Sequence, residues 1–264
     1  MFKYLLLLLL SPLAIADDSC PYRQGAAIIG VATDSKTNDF LYCEYHFLKD
    51  RQSAAINAVT SLDNVVFSEV EYRNNKQELI AQKKADFSKN RLVPVVEQID
   101  FRHNEKVSIQ LLADNVSNAE QVVLKVRYQE PNTDSMKEIE VGLGENTIAD
   151  AGFDNAIRVY WDDVLSNDKV ILDFVAPPQQ TTLALSVKQQ SLKRCQKLSS
   201  MVYTEEEHLC IKVKAANIIL NWLVKPIYLV YERASKRLLI FSGHVNVTDS
   251  NGEGQDATIE YRYQ

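Results

Sequence analysis

The chain has no apolar run long enough to cross a bilayer as a helix. Its most apolar run, Leu5 to Leu10, falls far short of the roughly 18 to 20 residues a helical span needs. It also has no basic stripe, and the formal net charge of -6 argues against nucleic acid or an anionic membrane surface as main partner. No CxxC pair occurs, and His208, the histidine nearest a cysteine pair, stands alone, so a zinc site lacks its ligand set. Neither a serine in a glycine-flanked elbow nor a free cysteine with a histidine partner is present, which removes the familiar nucleophile arrangements. Gly142-Leu143-Gly144 lacks the rest of a dinucleotide fingerprint. No cofactor and no metal are therefore implied. Internal repeats, low-complexity tracts and Pro/Gly/Ser linkers are also missing, and Pro177-Pro178 is the only double proline. One domain is the simpler organisation.

What the chain does have begins with MFKYLLLLLLSPLAIA. Lys3 supplies a positive n-region, Leu5 to Leu10 an apolar h-region and Ala14-Ile15-Ala16 a small-residue cleavage site, the pattern of a secretory signal peptide. The expected mature chain starts near Asp17, works in the periplasm or outside the cell, and carries a formal charge of about -7 once Lys3 is gone. Four cysteines in an exported chain predict two disulfides, with three possible connectivities. The pairs Cys20 with Cys43 and Cys195 with Cys210 are favoured because short loops close easily. Asp17-Asp18-Ser19 before Cys20 does not match a lipoprotein cleavage site, which predicts a soluble product.

From residue 26 onward, period-two alternation recurs between Asn, Asp, Ser and Gly clusters, the mark of an antiparallel β domain over 17–264. Strands are expected near 26–34, 40–48, 65–73, 78–87, 94–103, 106–113, 121–129 and 136–143, then 169–176, 182–192, 208–214, 226–233, 237–248 and 256–263. So many strands cannot stay flat, because twist accumulates, and a curled sheet follows: barrel, half-barrel or sandwich. Its concave face needs a cover. The stretch Ala151 to Leu165 predicts one amphipathic helix, with Phe153, Ile157, Trp161, Val164 and Leu165 on its apolar side, Asp150 as N-cap, and Asp154 to Arg158 as an i,i+4 pair. Residues 217 to 224, apolar almost all round and containing Trp222, predict a short second helix. Residues 51 to 64 read as a loop or a marginal helix.

Three constellations invite a chemical reading. In the strand 95–103, alternation places Val95, Glu97, Ile99, Phe101 and His103 on one face and Val96, Gln98, Asp100 and Arg102 on the other. The first is the more apolar, so if it lines a cavity Glu97 becomes a ligand anchor or an acid–base group, with His103 beside it. On a second strand Tyr42, Glu44 and His46 share a face expected to meet solvent, opposite Leu41, Cys43, Tyr45 and Phe47. The run Asp249 to Glu260 has calcium-loop spacing, but strand patterns flank it, and Asn251-Gly252 is a hairpin signal. Sequons at Asn115 and Asn246 matter only in a glycosylating host.

Through LVPVVEQIDFRHNE, DAGFDNAIRVYWDDVL and PIYLVYERASKRLLIFSGHVNVTDSNGEGQDATIEYRYQ, the chain resembles a family of uncharacterised secreted proteobacterial proteins. The resemblance implies a periplasmic address and no assigned activity. A curled sheet with helical plugs is also similar in architecture to the half-barrels that carry lipoproteins across the periplasm. The leading expectation is thus a periplasmic protein binding a hydrophobic or lipid-like ligand in its curled sheet, with Glu97, His103, Trp161 and Trp222 as candidate contacts. An envelope protein–protein interaction or assembly module with a filled core is the alternative, and a hydrolase using Glu97 and His103 the third. A transmembrane barrel is argued against by the helix and by the Tyr263-Gln264 end.

Overall fold

The computed structural model describes residues 19–56, 62–113, 122–166, 168–217 and 225–264. The expected leader, the apolar segment with Trp222 and the Asn115 sequon lie outside these residues. A meander of eight strands opens the fold: β1 (Ile28–Asp34), β2 (Phe40–Lys49), β3 (Phe67–Arg73), β4 (Leu79–Asp86), β5 (Val95–Asp100), β6 (Glu105–Ala113), β7 (Val122–Gln129) and β8 (Met136–Gly142). Next come β9 (Thr147–Ala149), helices α1 (Gly152–Val159) and α2 (Trp161–Leu165), β10 (Val170–Ala176) and β11 (Thr181–Gln190). The chain ends with α3 (Leu192–Cys195) running into a 3-10 turn (Gln196–Leu198), then β12 (His208–Ala215), β13 (Ile227–Glu232), β14 (Leu238–His244) and β15 (Asp256–Tyr263). With glycine scarce, asparagine supplies several left-handed turn positions: Asn38, Asn104 and Asn132 take φ of 63°, 53° and 58°.

All fifteen strands form one sheet, in the order β8-β7-β6-β5-β4-β3-β2-β1-β15-β14-β13-β12-β11-β10-β9. Every pairing is antiparallel except β9 with β10, which the two helices connect as a parallel crossover. The expected mainly β, curled antiparallel sheet is present, and it is open: no hydrogen bonds join β8 to β9, so the barrel alternative does not apply. The ends overlap instead of meeting edge to edge. Ile148, Leu172 and Val187 face a core cluster with Ala156, Ile157, Trp161 and Val164 of the helices. Ala149 and Val175, on the opposite face of the same end, pack with Val96, Ile109, Leu124 and Val126 of β5 to β7. The β9–β10 end is tucked inside the curl of the other end, and both of its faces are buried there.

The helical stretch corrects expectation at two points. Tyr160, at φ -92° and ψ 23°, leaves the helical region and divides the stretch into α1 and α2, and its hydroxyl donates to Asn146 Oδ1 at 3.0 Å. Asp150 is not the N-cap: it sits at φ 42°, Ala151 precedes the helix without a side-chain cap, and the Asp150 carboxylate turns to Lys83 at 2.9 Å. The Asp154–Arg158 pair forms as predicted, at 2.6 Å. Strand β14 stops at His244, and residues 245–255 fold back as a strap whose Val245 and Val247 join Ala32, Tyr42, Val70 and Tyr72 on the concave face.

Both favoured disulfides form, Cys20–Cys43 and Cys195–Cys210, with Cα separations of 5.5 and 6.0 Å. Each fastens an irregular segment to the sheet. Cys20 and Ala26 cover Ile29, Cys43 and Tyr45, while Leu192, Cys195 and Tyr203 cover Cys210, Val230 and Ile240. Two such bonds suit an oxidising compartment. Among the described residues, no helix is long and apolar enough to cross a membrane.

Candidate functional site

The sequence-predicted site residues do not converge. On β5 the buried residues are Val96, Gln98 and Asp100, whereas Glu97 is exposed, so the Glu97 face points outward, opposite to expectation. The inversion has a plain cause. Gln98 and Asp100 look like solvent residues in a sequence, but inside they hold the strap: Gln98 Nε2 donates to the Asn246 carbonyl at 2.7 Å, and Asp100 Oδ2 accepts from Thr248 Oγ1 at 3.2 Å. Glu97 lies in an outer groove of about 330 Å³ with Lys84, Lys106 and Arg127. His103 stands in the β5–β6 turn and bonds the Asp249 carbonyl through Nε2 at 3.0 Å, in contact with the strap rather than with Glu97. Trp161 is 4% exposed and meets Tyr231 edge-on at 5.7 Å, which makes it part of the helical plug and not of an opening. Trp222 lies outside the described residues. Asp249 Oδ1 accepts the backbone N–H of Asn251 and Glu253 at 2.8 and 2.9 Å, an Asx-type turn that holds its carboxyl below the usual range.

The Tyr42, Glu44 and His46 face also reverses expectation. It looks into the curl, and the Cys20–Cys43 staple covers the opposite face. Glu44 is 5% exposed and lies 3.0 Å from His46 Nε2. Around it stand Tyr42, Tyr72 and Tyr261, whose hydroxyls burial first and then the Glu44 charge push well above the usual tyrosine range. Further along the same face, Lys83 pairs with Asp150, whose Oδ2 also accepts from Asn246 Nδ2 at 3.0 Å, and Arg102 Nη2 bonds Asp100 Oδ2 at 2.5 Å. These groups join the strap, β4, β5 and the start of α1. They are mutually engaged, and their arrangement is that of a structural network.

A second region is different. Four connections meet at one rim of the curl and line a cleft of about 400 Å³: Asp63 before β3, Arg91 between β4 and β5, Asn155, Arg158 and Val159 on α1, and Ala234, Ser235 and Lys236 at the β13–β14 turn. Asn155 is the joint. Its Oδ1 accepts from Arg91 Nη2 at 3.4 Å and from Arg158 Nη2 at 3.1 Å, and its Nδ2 donates to the Arg91 carbonyl at 3.0 Å. Arg91 also donates to the carbonyls of Leu62 and Asp63, which ties the α1 plug to the segment before β3. Lys236, at φ 53°, lies over the Trp161 ring at 5.4 Å. Burial works against the charge of Arg158, but Asp154 together with Tyr231 and Tyr263 outweighs it and holds the guanidinium above its usual range. Loops carried on a rigid scaffold are where binding residues concentrate, and this cleft has that construction.

Sequence reasoning singled out Arg158 only as the helical partner of Asp154, and missed Arg91, Asn155 and Lys236. They sit at the ends of unrelated connections, and no spacing rule relates positions 91, 155 and 236. Only the overlap of the sheet ends and the docking of α1 bring them together. Among the described residues, no group of three or more His, Cys, Asp or Glu side chains is placed to hold a metal. No family model, no curated protein and no solved structure matches the chain.

Proposed function

We propose that the chain is exported, loses its first sixteen residues, and works in the periplasm or outside the cell as a non-enzymatic binding or assembly module with a filled interior. The observation that carries this reading is how the concave face is covered. The helices α1 and α2 cover β10 to β13, the strap covers β1 to β4 with Val245 and Val247, and Leu62 and Val65 pack with Ile28, Leu48, Tyr261 and Tyr263 between them. An apolar ligand buried in the curl would have to displace one of these covers and the hydrogen bonds fastening it. Charged and polar residues make up most of the lining of both clefts described above, whereas small-molecule pockets for apolar ligands are lined mainly by apolar side chains. The glutamate and histidine expected to act together are separated, one on the outer face and one in a turn bonded to the strap, which supports binding over hydrolysis.

The test is native mass spectrometry of the oxidised protein after incubation with an envelope lipid extract. The expected spectrum shows no bound lipid that a neutral fluorescent acyl probe displaces. A lipid mass displaced by that uncharged probe would overturn the filled-interior reading and restore the lipid carrier. Recovery of the protein in the periplasmic or culture fraction checks the address.

A further inference from the structure

We propose that the rim cleft between α1 and the β13–β14 turn is a binding site for an oxyanion, the carboxylate or phosphoryl group of a small ligand. The inference extends the binding reading to a ligand class, and it stands whether or not the protein also has a protein partner. The cleft wall carries three cations, Arg91, Arg158 and Lys236, against a single carboxylate, Asp63. That balance is the reverse of the chain as a whole, whose formal net charge is -6.

Besides fastening α1, the cations are short of charged acceptors. Arg91 and Arg158 both donate to one neutral oxygen, Asn155 Oδ1, so two like charges share a single uncharged acceptor. Arg91 directs its other hydrogen bonds to the carbonyls of Leu62, Asp63 and Val65, which are also neutral. Arg158 is neutralised on one side by Asp154, which also accepts from Tyr231, while its buried Nη1 has no hydrogen-bond partner among the described residues. Lys236 makes no ion pair among the described residues and rests on an aromatic ring. Burial first, and then the charge of Arg158, hold Arg91 below its usual range, the sign of two guanidinium groups that repel each other.

An anion entering the cleft removes that repulsion and gives charge-assisted acceptors to donors that now have neutral ones. The volume of about 400 Å³ exceeds that of a lone phosphate and suits a small organic acid or phosphorylated molecule. Asn155 orients both guanidinium groups from a buried position on α1, so the site is preorganised by the plug. Lys236 closes it from the turn.

The experiment titrates the mature, oxidised protein with sodium phosphate and, separately, sodium acetate, against sodium chloride at matched ionic strength, by calorimetry and thermal shift. Saturable binding of phosphate or acetate, absent with chloride, is expected. Preference for phosphate assigns a phosphoryl ligand, and preference for acetate a carboxylate. The Lys236→Glu variant, compared at a temperature where both proteins are fully folded because Lys236 also rests on Trp161, should bind about tenfold or more weakly. Arg91→Gln provides a second variant with the same expected loss. Phosphatidylglycerol vesicles supply the headgroup arm: binding that free phosphate competes away places the phosphoryl group on a lipid. Equal affinity in parent and Lys236→Glu, equal effects of chloride, or vesicle binding that phosphate does not compete would each overturn the proposal.

Discussion

Replacing Gly152, the first residue of α1, by alanine should destabilise this protein, against the usual gain from Gly→Ala in a helix. In an exposed helix, Gly→Ala gains about 1 kcal/mol from the smaller entropy loss of alanine. Here the added Cβ would stand 1.9 Å from the carbonyl oxygen of Leu92 and 2.5 Å from its carbonyl carbon. Those are backbone atoms and cannot rotate away. Asn90 Oδ1 pins the N–H groups of Leu92 and Val93 at 2.8 and 3.0 Å, and the Leu92 carbonyl itself accepts from Ala149 N at 3.0 Å. Relief requires α1 to lift from the 90–93 segment, with overpacking strain of about 1–3 kcal/mol and loss of a buried backbone hydrogen bond of about 1 kcal/mol. The net expectation, after the helical gain, is a loss of about 2 kcal/mol. For a chain of this size that lowers the melting temperature by about 4–8 °C. Urea unfolding followed by circular dichroism gives the free energy directly. A Gly152→Ala protein as stable as the parent, or more stable, would refute the claim that α1 docks with its backbone against Leu92.

The Cys195→Ala/Cys210→Ala double variant should lose about 3 kcal/mol, the loop-closure contribution for a 15-residue separation. Chemical denaturation of the oxidised parent beside the variant measures it, and a difference near zero would show that α3 is held without its staple. Glu105 gives the pH dependence. Burial first, and the nearby Asp100 charge, raise its carboxyl above the usual glutamate range against the hydrogen bond from Tyr128, and its Oε2 has no hydrogen-bond partner among the described residues. Because the folded value lies above the unfolded one, ionised Glu105 costs stability at neutral pH. That cost shrinks as pH falls through the folded value and is gone below the unfolded one. Glu105→Gln, which keeps an acceptor for Tyr128, should therefore be more stable than the parent at pH 7, with the difference vanishing toward pH 4. A gain that does not change with pH would point to packing instead.

Most of the strand pattern was legible, because alternation survives wherever one face of a strand is apolar. Fourteen of the fifteen strands overlap the expected segments, and four of them, β2, β6, β11 and β12, run one residue past a bound. The missing one, β9, is three residues long, too short for any period, and it is buried on both faces. Face assignment was legible only where polarity follows exposure. It inverted on β5 because Gln98 and Asp100 spend their polarity on the strap, and on β2 because the concave face holds Glu44 with a cluster of tyrosines while a disulfide covers the other side. The disulfides were predictable from loop length alone. The cleft was not, since its residues acquire meaning only from a non-local contact between the two halves of the chain.

Strand β1 pairs on one side with β2 and on the other with β15, so the first and last strands are neighbours in the middle of the sheet. Whether during synthesis or export, β1 emerges before β15, and until Asp256 to Tyr263 follow, the β15-facing edge of Ile28 to Asp34 has no strand partner. The eight-strand meander can form by itself, but among the described residues strand pairing joins the two halves of the sheet only through β15. Assembly is therefore governed by a contact of very long sequence separation, the kind that slows folding most. It also leaves a bare strand edge open to pairing with other chains in the meantime. A chain cut short before Asp256 would keep nearly all its residues and lose the seam that makes them one sheet.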